Sequence, residues 1–217
     1  MLKRSKQYVE SCKICGYNEI NVSGFLPQSF DQNQDTYRVL DELGIQYDAG
    51  FLAGLLFAPG HEKDVWPHQL EGHSFYAVPV STYTLSDKRM ALQDSYFKDN
   101  GFSASQWHDA LVGKFDEIQG KDEPMVVALT TSVSGSGDYL DSLNSFLDYA
   151  VSKKASFVTT ANLVSSAKSG SHDISLLPTN VSSECLTCNQ SENIINITAS
   201  INEVVPAANN TTQVMTS

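Results

Sequence analysis

Residues 124–160 read PMVVALTTSVSGSGDYLDSLNSFLDYAVSKKASFVTT. Pro124 to Leu129 is an apolar run without alternation, as suits a strand buried on both faces. Asp138 opens a segment with Tyr139, Leu140, Leu143, Phe146, Leu147, Ala150 and Val151 at helical spacing. Phe157 to Thr160 reads as the next short strand. Strand, helix and strand in succession make a parallel βα unit, which sets the class as α/β. Between them, Ser132-Val-Ser-Gly-Ser-Gly137 has the look of a phosphate cradle. Asp138 stands where a P-loop needs Lys, and a carboxylate there repels phosphate and favours a helix start. The segment therefore reads as a βα turn.

Upstream, the same alternation recurs. Asp35 to Leu43 reads as a helix with Tyr37, Leu40 and Leu43 on one face, stopped by Gly44. Ile45 to Phe51 reads as a strand. Phe75 to Val80 is another, and Pro79 places it near an edge or a bulge. Ser103 and Gln106 match a capping box, in which each side chain satisfies the other's backbone N–H. The helix that follows buries Trp107, Leu111, Phe115 and Ile118. No Gly-x-Ser-x-Gly elbow is present, so a serine hydrolase is excluded.

The whole chain has 217 residues and is 41% hydrophobic, enough for a packed core. It carries 25 acidic and 14 basic side chains, a net charge of −11. That surface repels phosphate, which argues against nucleic acid as a partner. No apolar run approaches the roughly 18–20 residues of a transmembrane helix. MLKRSKQYVE (1–10) starts with positive charge but no apolar stretch follows, so it does not read as a signal peptide. After Phe157 no further Phe, Tyr or Trp occurs, after Lys168 no further Lys or Arg, and Ser, Thr and Asn dominate. The reading is a segment over 1–19, a folded unit over 20–167, and a polar tail or the start of a β domain over 168–217. Ile194 to Ile201 alternates as a strand does. Sequons at Asn21, Asn180, Asn189, Asn196, Asn209 and Asn210 favour an extracellular or cell-surface setting. Cys12 and Cys15, with Cys185 and Cys188, form two Cys-x-x-Cys pairs. They are either four thiolates for one zinc or two unrelated pairs, and their wide separation favours the second reading.

Four segments resemble, in order, the second half of the polysaccharide deacetylases (NodB homology, carbohydrate esterase family four), in versions found in surface proteins of methanogenic archaea. They are GFLPQSFDQNQDTYRVLDELGIQYDAG (24–50), APGHEKDVWPHQLEGHSFYAVPVST (58–82), PMVVALTTSVSGSGDYLDSL (124–143) and FVTTANLV (157–164). The resemblance implies a partial (β/α) barrel, truncated at its N-terminus. It also implies metal-dependent hydrolysis of N-acetyl groups on carbohydrate, with zinc or cobalt as the family's divalent metal. The departures are as informative. The family's Thr-Phe-Asp-Asp-Gly and His-x-x-x-His motifs are absent. Leu26 stands where the family has an Arg, and Thr130 stands where it has a late His. A hydroxyl cannot hold and pass on a proton near neutral pH as imidazole does.

The resemblance thus predicts no cofactor and no catalysis in this chain alone. Its partners would be carbohydrate and an upstream half of the same barrel. The alternative is a non-catalytic carbohydrate-binding surface module. Pro27, His61, Asp64 and Trp66 are the candidate sugar-contacting residues: an indole face stacks on a sugar ring, and the polar groups meet hydroxyls. The same region offers a second grouping, His61, His68 and His73 with Glu62 or Glu71, as metal ligands.

Overall fold

A computed structural model of the chain describes residues 2–11, 21–170, 172 and 211–216. The architecture is mixed α/β. Three strands run parallel: β1 (Gly24–Phe25), β2 (Tyr47–Leu52) and β4 (Tyr76–Val80). The short β3 (His68–Gln69) joins antiparallel, giving the order β1-β2-β4-β3. Beyond β4 the chain makes a hairpin, β5 (Thr82–Leu85) and β6 (Lys88–Ala91). It then returns to β7 (Pro124–Leu129), which pairs with β9 (Thr211–Thr216), and β9 pairs in turn with β8 (Ser156–Thr159). The described strands do not close into a barrel.

The seam between β4 and β7 is made by a few bonds. Ser81 N–H donates to Val126 O at 2.9 Å. Val126 N–H donates to the Ser81 hydroxyl oxygen at 2.9 Å. Ala128 N–H donates to Leu92 O at 3.0 Å, and Leu92 N–H donates to Ser81 O at 2.8 Å. The hairpin is thus an excursion that leaves and re-enters the sheet beside one strand.

Helices cover both faces. α4 (Ala104–Ile118) and α6 (Gly137–Ser152) pack on Met125, Val127 and Leu129. α7 (Thr160–Lys168) packs on Val78, Val80, Val126 and Ala128, which point the other way. α2 (Gln34–Glu42) sets Leu40 against Ile45, Phe51, Phe75 and Ala77. The N-terminal α1 (Leu2–Ser11) adds Leu2 to that group, and Lys6 donates to Val22 O at 3.0 Å.

The capping box of Ser103 and Gln106 is present, and Trp107, Leu111, Phe115 and Ile118 are fully buried. Each such side chain contributes about 1.5–3 kcal/mol on burial. Gly44 ends α2 with φ +64°, a left-handed stop suited to glycine. Pro79 faces a register shift in β2 between Asp48 and Phe51, and β3 pairs only with Tyr76 and Ala77, so no β3 residue needs a donor from Pro79.

Three local readings differ from the structure. Ser132 to Ser134 belongs to a short helix, α5 (Thr131–Ser134). Thr160 begins α7 rather than ending β8, because Thr159 caps that helix by accepting from Asn162 N–H. Val151 shares the α6 pattern but is exposed. Within the segment read as a polar tail, Thr211–Thr216 is a strand of the sheet. Cys12, Cys15, Cys185, Cys188, Asn180, Asn189, Asn196, Asn209, Asn210 and the run 194–201 lie outside the described residues. No described helix is long and apolar enough to cross a membrane.

A fully buried carboxylate ties the carboxyl end of β7 to α3 (Asp94–Asp99). Asp94 accepts from Thr130 N–H at 2.8 and 3.0 Å, from Ser134 N–H at 3.1 Å and from Ser95 N–H at 2.6 Å. Asp94→Ala would strand those donors in the interior, which costs about 3 kcal/mol. Urea unfolding checks this. The exposed Asp109→Ala should stay within about 0.5 kcal/mol of wild type.

Candidate functional site

The loop that links β2 to β3 carries three of the four predicted contact residues. It turns at His61, whose N–H donates to Ala58 O at 3.0 Å, and again where Asp64 N–H donates to His61 O at 3.2 Å. His61 Nδ1 then lies 2.6 Å from Asp64 Oδ2. The His61 and His68 rings stack at 3.9 Å between centroids, 7° from parallel. His68 Nδ1 is 3.2 Å from Trp66 O and 3.7 Å from Asp64 Oδ2. Burial pushes the His68 pKa down, since a charged ring is poorly solvated there.

Trp66 is held at both its edge and its face. Its indole N–H donates to Asp122 O at 3.0 Å, just before β7. The imidazole of His172 lies flat on it at 4.1 Å and 7°. His172 Nδ1 also pairs with the Asp122 carboxylate. The indole otherwise packs with the core that contains Val78 and Val126. The predicted sugar platform therefore has an exposed imidazole lying on it.

The remaining residues of the predicted metal grouping go elsewhere. His73 Nδ1 is 2.7 Å from Asp41 Oδ2 at the end of α2, and Ser74 donates to the other oxygen of Asp41. Glu62 accepts from Gly60 N–H, and Glu71 is exposed. Among the described residues the grouping that forms is His61, Asp64 and His68, with ligand atoms within 4.8 Å of one another.

Pro27 lies at the opposite edge of the sheet, directly after β1. It is buried, with Cγ 2.6 Å from where a Cβ on Gly50 would stand; Gln32 Oε1 crowds that point too. Only glycine leaves room for both. Gln32 Nε2 donates to Gly50 O at 3.0 Å, and Gly50 N–H donates to Asp48 Oδ1 at 2.8 Å. Gln32 Oε1 and Asp48 Oδ2 are buried acceptors with no donor. Burial raises the Asp48 pKa to about 7, against the lowering effect of the Gly50 N–H bond. On the facing helix, burial and then the Asp48 charge raise the Tyr37 pKa. Sequence reading treated Asp48 as one residue of a strand. The signal available was an acidic residue inside an otherwise apolar strand, since such a group is rarely buried unpaired.

Leu26 is half-buried and packs with the core around Val78 and Val126. Thr130 caps α5, its N–H taken by Asp94. Neither position presents a group that titrates near neutral pH. No protein-family model, curated protein or solved structure matches the chain.

Asp48 makes stability depend on pH. Its folded pKa of about 7 exceeds the unfolded value of 3.8. Between those values the folded state binds more protons, so stability falls as pH rises through that window and levels off above about 7. Asp48→Asn keeps the acceptor for Gly50 N–H and removes the ionisation. Denaturant unfolding at pH about 8 should show the variant more stable, by up to about 4 kcal/mol, with the advantage gone near pH 4.

Proposed function

We propose that this chain is a carbohydrate-binding protein on a polysaccharide-deacetylase-like framework, with no deacetylase activity of its own. The observation that carries the binding reading is the Trp66 indole, locked by its N–H to Asp122 O and carrying a stacked, exposed imidazole on one face. A sugar ring is a planar-faced group of similar size and can take the place of His172. His61 and Asp64 lie within the same loop, with side chains 28% and 42% exposed, ready to meet hydroxyls. Pro27, at the far edge, is buried and contributes to packing instead.

The framework reading rests on the parallel run β1-β2-β4, continued by β7 beside Ser81, with α2 between β1 and β2 and with α3 and α4 ahead of β7; β2 and β4 are joined by a loop and β3 instead of a helix. A partial (β/α) barrel calls for a helix after each strand, which α2, α4, α6 and α7 supply in part. The reading calls for an upstream barrel half as a partner, and for the zinc- or cobalt-binding motifs to come from there. Leu26 and Thr130 support the absence of hydrolysis, as neither can shuttle a proton. The exposed sequon residue Asn21 fits a cell-surface or extracellular setting.

Two assays test this. Incubation with N-acetylated chito-oligosaccharides and added zinc or cobalt should release no acetate; release would overturn the inactive reading. On a glycan array the chain should bind, Trp66→Ala should lose about tenfold or more, and His172→Ala should bind at least as well as wild type. Equal binding by Trp66→Ala would remove the platform.

A further inference from the structure

The loop that carries Trp66 also stacks two imidazoles beside one carboxylate. His61, Asp64 and His68 stand at i, i+3 and i+7 across two turns and the start of β3. Asp64 Oδ2 is 2.6 Å from His61 Nδ1 and 3.7 Å from His68 Nδ1. One carboxylate oxygen thus stands beside both rings, and the three side chains offer ligand atoms within 4.8 Å of one another. His68 is only 14% exposed, and its Nε2 is buried without a partner. When Nδ1 donates to Trp66 O, Nε2 is left as a bare lone pair, the state in which imidazole binds metal. That unmatched nitrogen is a second feature, independent of the clustering, that calls for a ligand.

We propose that His61, Asp64 and His68 form a binding site for a divalent transition-metal ion of the zinc class, with water completing the coordination. Two imidazoles and one carboxylate suit zinc, cobalt or nickel, whereas calcium and magnesium prefer all-oxygen sets. The chain's net charge of −11 raises the local concentration of cations. Parallel rings cannot both aim a lone pair at one ion, so binding turns a ring out of the stack. His61 is the ring that turns, being 28% exposed where His68 is 14% exposed. The metal would clip the loop to β3 through His68. The site shares His61 and Asp64 with the sugar contacts proposed above, but its test stands apart from that reading, because metal uptake is measured with no glycan present.

The test uses the full chain with Cys12, Cys15, Cys185 and Cys188 changed to Ser, so that thiolates do not contribute. Zinc is titrated by calorimetry, and cobalt by visible absorption and by quenching of Trp66, which lies within two residues of Asp64 and His68. One equivalent should bind. His61→Ala and Asp64→Asn should each weaken binding about tenfold or more. His73→Ala, which touches Asp41 instead, should leave it unchanged. Circular dichroism of each variant keeps loss of fold apart from loss of ligand. Absence of stoichiometric uptake, or undiminished affinity in folded His61→Ala and Asp64→Asn, would overturn the site.

Discussion

Everything in this molecule depends on one strand being buried on both faces. All six residues of β7 are buried. Met125, Val127 and Leu129 face α4 and α6, while Val126 and Ala128 face α7. A strand so enclosed has no water for its backbone, so its N–H and C=O groups must be paired within the protein. On one side β9 supplies a six-residue antiparallel ladder. On the other, the partner is irregular: the Ser81 hydroxyl and the Leu92 carbonyl each accept one N–H. Ser81 is buried because it is a ladder component rather than a surface polar residue.

That arrangement decides where polar loops can go. With helices on both faces, chemistry is left to the strand ends and the edges. β3 pairs with only the first two residues of β4, and the loop before it reaches across to Asp122, just ahead of β7. At the other end of β7, Asp94 gathers the first N–H groups of the chain beyond the strand. The two ends of one buried strand thus anchor the loop that carries Trp66 and the start of the helical half.

The elements legible in the sequence were those whose signals were local. β7 declared itself by an unbroken apolar run, and α4 by its capping box and its four buried positions. The β5–β6 hairpin gave no such signal. Its turn has Ser86 and Asp87 at φ +50° and +64°, where glycine or asparagine usually marks the turn. α7 was missed because its apolar residues read equally well as the end of a strand. The loop residues His61, Asp64 and Trp66 were picked out by type, and two of them meet in space. Their partners were legible in part: the sequence grouped His61 with His68, His73 and a glutamate, while the fold sends His73 to Asp41 and sets Asp64 in place of the glutamate. Which side chains share a turn depends on backbone bonds such as Asp64 N–H to His61 O, and composition does not encode these.

Two buried aspartates show the same distinction in energetic terms. Asp94 and Asp48 are both fully buried. Asp94 meets three backbone N–H groups with its two oxygens, so both oxygens have donors fixed by the fold. Asp48 meets one, at Gly50, and keeps an oxygen without a donor beside a glutamine in the same condition. Nothing in the residue type separates them; only the count of donors does. A satisfied buried carboxylate is a construction element, and removing it lowers stability. An unsatisfied one lowers stability by being present as an ion, so it persists protonated or in the company of a donor from outside. The β1–β2 edge, with two lone acceptors around Gly50, is for that reason the part of the sheet held under electrostatic tension, while the β7 end is the part that holds it together.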